Sequence, residues 1–280
     1  MRTVVIGIDR SFATRTVTAW GARLAAVVDA EVVEAHAFQR PPDVDADELA
    51  RLLALRAADL EERFVDHATE RGARARLVVE VGDPRQVIDR VARRESADLV
   101  VLGRSGEGAD PEDHRLGRVA EHMAHHSTGS LAVVPSERQG PVTRVVLGVD
   151  GSAESLAAVA WCALVAPALD ADVVVVRVRE PEGEGIPGAD AAAWRREAAE
   201  ELVGWSRPLV DAGVRVDLVV VDDRRPMDAL LGAVRSRGAD VLLLGRRGVG
   251  GFEGLRTGGV ALAALQRSPI PVIMVDARSP

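Results

Sequence analysis

The sequence predicts an α/β protein in which one domain, a parallel sheet covered by helices on both faces, is built twice in tandem. Three observations carry that prediction. An ordered set of matches recurs at nearly constant spacing: TVVIGIDRS from Thr3 returns as TRVVLGVDGS from Thr143, Trp20 falls on Trp161, Ala97-Asp98 on Ala239-Asp240, and Gly103 on Gly245. Within each copy, short apolar runs of strand length alternate with longer segments of helical periodicity. The apolar runs are continuous rather than alternating, as strands buried on both faces require.

Taken in order, Val4–Ile8 is the first strand and ends at Asp9. A helix from about Phe12 to Val28 follows, with Val17, Trp20, Leu24 and Val28 on one side. Glu31–Ala37 reads as the second strand, and Gln39–Ala46 as a polar, proline-bearing loop. A long helix is expected from Asp47 to near Arg71, where Gly72 stops it. Leu77–Val81 is the third strand; Pro84 opens a helix at its first turn, where proline is tolerated. Asp98–Leu102, the helix Arg118–His126 and Leu131–Val134 complete the copy. The second copy predicts strands near 144–149, 172–178, 214–221, 240–244 and 271–275, with a flexible acidic loop at Glu180–Gly188. The domain boundaries are set at 1–138 and 142–280.

Composition narrows the function. The net charge is −8 and neither half is basic, so capture of nucleic acid or of an anionic membrane is not expected. Aromatic residues are 3% of the chain, which gives no base-stacking surface. A single Cys162 forms no disulfide framework, and it reads as a small core residue. Neither a signal peptide nor a membrane span is expected, and the default location is cytoplasmic. No paired nucleophile and base, no G-x-S-x-G and no acid–base dyad is evident, so no catalytic residue is assigned. His122, His125 and His126 share helical spacing, but a histidine cluster at a helix end explains them without a metal, and none is assigned.

The chemistry concentrates between Ala239 and Val260. A buried strand delivers the chain into a loop with glycines at 245, 248, 250, 251, 254, 258 and 259, and a helix opens after it. Unpaired N–H groups at a helix N-terminus, reached through a loop without side chains, favour an anion such as phosphate. A Walker loop is excluded, because the chain contains no lysine. Gly245, Gly248 and Gly258 form the frame G-x2-G-x9-G, followed by Gly259. That frame resembles the nucleotide-binding members of the universal stress protein family, which carry Ser or Thr where this chain has Gly259. The resemblance covers nearly the whole chain twice. It implies Rossmann- or flavodoxin-like domains of strand order 3-2-1-4-5, so that strands one and four flank one crevice.

In that family the aspartate ending strand one lies against adenosine, and a valine ending strand two packs on the base. Those positions match Asp150, in the turn with Gly151 and Ser152, and Val178. The resemblance places ribose and phosphates along the glycine-rich loop, at Gly245, Arg246, Gly248, Gly258, Gly259 and Val260; the side chains of Arg246 and Arg247 read either as charged donors to phosphate or as part of a solvated loop. The expected ligand is ATP, alone or with magnesium, held in the second copy as a regulatory nucleotide rather than a turned-over substrate. Slow ATP hydrolysis using Asp222 or Asp223, and a ligand-free interaction protein, stay open beside it. A side chain at Gly248 or Gly258 is expected to obstruct the ligand and to meet a disfavoured positive φ.

The first copy reads as degenerate. Arg10 stands where the second has Gly151, Ala37 replaces the valine, ten residues separate Gly106 from Gly117, and Glu107, Asp110, Glu112 and Asp113 crowd the loop. The family resemblance further implies that the last strands of the two domains, Leu131–Val134 and Val272–Val275, pair as an intramolecular pseudo-dimer. Association of two chains as a homodimer is left open.

Overall fold

The computed structural model describes residues 1–11, 13–106, 115–127, 129–137, 139–179, 189–223, 225–249 and 257–277. The expected helix start at Phe12, the acidic residues Glu107, Asp110, Glu112 and Asp113, the loop Glu180–Gly188 and Gly250, Gly251 and Gly254 lie outside them. The chain divides into two compact units, Met1–Gly140 and Pro141–Arg278.

The first unit runs β1 (Thr3–Gly7), α1 (Ala13–Val27), β2 (Glu31–Phe38), α2 (Ala46–Leu60), a π-helical turn (Glu61–Val65), α3 (Asp66–Thr69), β3 (Arg74–Val81), α4 (Pro84–Arg94), β4 (Leu99–Gly103), α5 (Arg118–His126) and β5 (Ser130–Val134). Its strands lie in the order β3-β2-β1-β4-β5, and every pair is parallel. The second unit runs β6 (Arg144–Gly148), α6 (Ala153–Leu169), β7 (Asp172–Arg179), α7 (Ala189–Trp205), α8 (Arg207–Asp211), β8 (Val216–Asp222), α9 (Pro226–Arg237), β9 (Val241–Gly245), α10 (Gly259–Arg267) and β10 (Val272–Val275). There the order is β8-β7-β6-β9-β10, again parallel, so each unit has the order 3-2-1-4-5 in its own strands.

The central strands are buried because helices cover both faces. Val4, Val5, Ile6, Leu99 and Val101 are at most marginally exposed in the first unit, as are Val146, Leu147 and Leu242 in the second. Glycine on strand one lets the neighbouring strand's leucine close over it. A Cβ on Gly7 would lie 2.4 Å from Leu102, and one on Gly148 2.5 Å from Leu244.

The recurring Ala-Asp pair also acquires a cause. Asp240 Oδ2 accepts the N–H groups of Thr143 and Arg144 at 2.8 and 2.9 Å, and the Thr143 hydroxyl at 2.8 Å. Asp98 Oδ2 likewise accepts from Arg2 and Thr3 at 2.5 and 3.0 Å. Each carboxylate pins the start of strand one to the start of strand four.

Three boundaries differ from expectation for local reasons. The long helix after β2 is interrupted by the π turn Glu61–Val65, whose extra residue lets Leu60, Phe64 and Val65 all be buried. In the second unit the equivalent helix stops at Trp205 and restarts at Arg207, where Pro208 has no N–H for the carbonyl four residues back. Strand β3 begins at Arg74, earlier than expected, because Arg74 and Arg76 are the exposed side chains of an edge strand.

Candidate functional site

The candidate site in the second unit begins where β6 and β9 end side by side. Gly148 pairs with Leu244, so Asp150 and the residues after Gly245 leave the sheet next to each other. Gly151 then turns the chain at φ +87°, a conformation open to glycine. Ser152 caps α6, its Oγ accepting the Ser155 N–H at 3.2 Å. The same hydroxyl donates to the carbonyl of Arg247 at 3.1 Å, tying the turn to the glycine-rich loop.

Asp150 bonds both the turn and the loop. Its Oδ1 accepts the Ser152 N–H at 3.0 Å, and its Oδ2 accepts the Val249 N–H at 2.9 Å. Desolvation pushes this carboxyl's pKa up, but hydrogen bonds from Ser152, Val249 and Ser155 outweigh it and hold it below the ordinary range. Asp150 is therefore a carboxylate at neutral pH.

The glycines of the frame have distinct tasks. A Cβ on Gly245 would lie 2.5 Å from the backbone of Glu154 and 2.6 Å from that of Ser155, so this glycine admits the first turn of α6. A Cβ on Gly248 would lie 2.4 Å from Asp150 Oδ2. Gly258 donates its N–H to the Arg246 carbonyl at 2.9 Å and leads into α10 with no side chain capping that helix. Among the described residues nothing lies within 4 Å of a Cβ on Gly259, and Val260 is exposed. The first N–H groups of α10 thus have no side-chain cap and follow the side-chain-free backbone of Gly258 and Gly259, the setting an anion favours.

The expected positive φ is corrected at Gly258, which is extended at φ −73°. Gly248 is not among the residues with positive φ, and what requires glycine there is the Asp150 carboxylate. Arg246 is also turned away from where phosphate was expected. It is buried, with its guanidinium 3.2 Å from the equally buried Asp276. Arg247 pairs with Glu154 at 2.5 Å. Val178 is half-buried at the end of β7, opposite Val221 of β8. Of the two residues considered for positioning water, Asp222 is held by Arg179 at 3.3 Å and Arg195 at 2.5 Å, and Asp223 accepts the Arg225 N–H at 2.9 Å.

Sequence reasoning missed an aromatic group beside this turn. Trp205, at the end of α7, lies against Gly151, and Arg177 and Arg179 interleave with Trp205 and Trp194. The available signal was VVVVRVR, where arginine takes alternate places at the end of an apolar strand, followed by a helix holding two of the chain's four tryptophans.

The first unit keeps parts of the pattern. Asp9 Oδ1 accepts the Ser11 N–H at 2.8 Å and the Thr14 hydroxyl at 2.6 Å, and a Cβ on Gly106 would lie 2.9 Å from Asp9 Oδ2. Gly117 donates to the Arg104 carbonyl at 2.7 Å, as Gly258 does to Arg246. In place of the Arg–Trp group stands His36, buried, with Nδ1 3.0 Å from the Ile8 carbonyl and Nε2 3.3 Å from Arg56. His122 and His126 stack at 4.4 Å rather than converging on a point. Among the described residues no group of three or more His, Cys, Asp or Glu could hold a metal ion, and no helix is long and apolar enough to cross a membrane.

This architecture has known counterparts. The model of the universal stress protein family matches residues 1–135 and again 141–276. A universal stress protein of Mycobacterium tuberculosis is 29% identical over 295 residues, covering 97% of this chain and 96% of its own. One from Mycolicibacterium smegmatis is 26% identical over 299 residues, covering 98% and 97%. The crystal structure of a universal stress protein from Archaeoglobus fulgidus superposes with TM-score 0.73 at 18% identity over 98% of both chains, and shares the fold.

Proposed function

The chain belongs to the universal stress protein family, and from that premise we propose that its second unit binds ATP or another adenine nucleotide, alone or with magnesium, as a regulatory ligand. One observation carries the reading: the Asp150 carboxylate accepts the Val249 N–H at 2.9 Å and so ties the start of the glycine-rich loop to the turn after strand one. In this reading Asp150, Gly151, Ser152 and Val178 receive the nucleoside half. The loop through Gly245, Arg246, Gly248, Gly258, Gly259 and Val260 receives the phosphates, with Gly259 and Val260 as N–H donors, since the N–H groups of Arg246 and Gly258 already bond the carbonyls of Val275 and Arg246. A bound phosphate chain gains from the uncapped N–H groups of α10 and from the helix dipole. Bound magnesium would add charge to the phosphates; no side-chain cluster of this unit is assigned to it.

The role is a stress-response one, exercised from the cytoplasm without robust turnover. Asp222 and Asp223 are engaged with arginine and backbone partners, and neither is disposed as a base for water. The rival reading, a nucleotide-free interaction protein, is favoured by the pairing of Arg246 with Asp276 and by the lack of a hydroxyl at Gly259. Pairing of the two units as a pseudo-dimer, and association of two chains, are compatible with either reading.

Calorimetry with ATP tests the choice. The expected result is about one site per chain, with phosphate release that never exceeds the protein present. Two equivalent sites would show the first unit to be competent. Absence of binding up to millimolar ATP would establish the rival reading.

A further inference from the structure

Helix α7 and the end of β7 carry two tryptophans and two arginines that interleave. The Arg177 guanidinium lies 4.8 Å from the Trp205 ring centroid and 5.7 Å from that of Trp194; Arg179 lies 4.9 Å from Trp194. Arg177 also pairs with Glu201, one turn before Trp205 on the same helix. At this distance and orientation the guanidinium attracts the indole face. The outer ring of Trp205 meanwhile rests on the bare backbone of Gly151. A Cβ there would lie 2.7 Å from Cζ2 and 2.9 Å from Cη2. Gly151 sits between Asp150 and Ser152, within the turn that is bonded to Arg247 and Val249 at the start of the glycine-rich loop.

We propose that Trp205 is a latch on this crevice: in the state described its indole covers the Gly151 peptide, and a nucleotide reaching that peptide must displace it. The inference rests on the reading of the crevice as a nucleotide site. Its physical basis is exclusion. Indole atoms in van der Waals contact with Gly151 leave no room for a purine between them, so the closed latch and the bound nucleoside compete for one surface. The position suits movement. Trp205 is half-buried and ends α7, and the chain turns at Ser206 into α8. Arg177 holds the closed state, and the nucleotide favours the open one. Such a device lowers apparent affinity by the fraction of molecules already open, and it carries occupancy of the crevice to helix α7.

The test compares ATP titrations, with magnesium present, of the full chain and its variants Trp205→Phe, Trp205→Ala and Trp194→Ala, each with a melting curve. Phenylalanine is the gentler change: it keeps an apolar ring but lacks the outer indole atoms that touch Gly151. Both Trp205 variants should bind ATP about three- to tenfold more tightly, and Trp194→Ala should match the unaltered chain. The intrinsic fluorescence change on adding ATP should vanish in Trp205→Phe. Equal affinity in all four proteins, with the fluorescence change retained, overturns the latch and leaves the nucleotide site standing. Weaker binding by both Trp205 variants also overturns it, since the indole would then be a ligand contact. ATP binding by Trp205→Phe but not by the unaltered chain supports the strongest form of the latch. No binding by any of them defeats the nucleotide reading, and the latch with it.

Discussion

The Asp150 carboxylate accepts the backbone N–H of Val249 across 99 residues of sequence, at 2.9 Å. The same group accepts the Ser152 N–H two residues on, so one side chain sets the turn after β6 and anchors the loop after β9. Glycine at 248 is the complement of that arrangement, because any Cβ there would meet Asp150 Oδ2 at 2.4 Å.

Asp150→Asn should separate charge from shape. The amide retains one acceptor but turns a donor towards one of the two N–H groups. The expected loss is about 1.5–3 kcal/mol of stability, the scale of a hydrogen bond to a charged group, together with weaker ATP binding. Asp150 has a folded pKa below its unfolded 3.8. Its contribution is therefore present above pH 3.8 and is lost as pH falls through the folded value. Denaturant titrations at pH 7 check the magnitude; equal stability of the two proteins would mean that the Asp150–Val249 bond contributes nothing net.

Glu34 gives a pH dependence of opposite sign. It sits fully buried in β2, pairs in register with Ile6, and neither carboxyl oxygen has a hydrogen-bond partner among the described residues. Burial pushes its pKa from 4.5 up to about 8. The folded chain thus holds a proton that the unfolded chain releases, and stability falls as pH rises through the interval from 4.5 to about 8. The slope limit is about 1.4 kcal/mol per pH unit. Glu34→Gln removes the titration, so its stability relative to the unaltered chain should rise by about 2 kcal/mol or more between pH 5 and pH 8. Taking the difference between the two proteins cancels neighbouring His36, which titrates in both. A constant difference across that range would show that Glu34 is not held protonated.

Asp240 should matter to folding and not to the ligand. It lies at the opposite end of the strands from the crevice, where it accepts three hydrogen bonds from Thr143 and Arg144. Asp240→Ala should cost about 1–3 kcal/mol and leave ATP affinity unchanged in the molecules that remain folded. A loss of affinity at unchanged stability would contradict this division of labour.

These residues also show what a one-dimensional reading can reach. The tandem repeat and the parallel strands were legible because buried parallel strands leave continuous apolar runs and sharp turns demand glycine at fixed places; the strand order, and with it the crevice between Asp150 and the glycine-rich loop, was implied by the family resemblance. The recurring Ala-Asp pair was visible, but its role as a clamp was not, since its partners lie 96 and 97 residues away. Arg246 was misplaced for a related reason: a loop arginine beside glycines resembles an anion contact until Asp276, 30 residues later, is folded against it. Trp205 was invisible because its contact is a glycine backbone, which leaves no chemical pattern to match. The π turn at Glu61–Val65 was likewise hidden, since one extra residue in a helix hardly disturbs its apolar spacing.

The loop itself supplies the sharpest comparison. At Gly258 the backbone is extended, and a Cβ would meet the Arg246 carbonyl and the Arg247 Cα at 3.4 Å, ordinary contact distance. Gly258→Val should therefore fold, with a melting temperature near that of the unaltered chain, while its methyl groups crowd the N–H donors at the start of α10. ATP affinity should fall by a few kcal/mol, on the scale of about 1.5–3 kcal/mol for each charge-assisted hydrogen bond lost. Gly117→Val, at the equivalent turn of the first unit, is closer packed, with 3.3 Å to the Arg104 carbonyl and to Ser105, and should leave ATP binding unchanged. Gly259→Ser works in the other direction. Among the described residues nothing lies within 4 Å of a Cβ there, so the hydroxyl should enter without strain and donate to phosphate, tightening binding by about 0.5–1.5 kcal/mol. ATP titrations of the three variants beside their melting curves decide the matter. Unaltered affinity in a folded Gly258→Val removes the glycine-rich loop from the binding site; a loss in Gly117→Val of the same size moves part of the binding to the first unit.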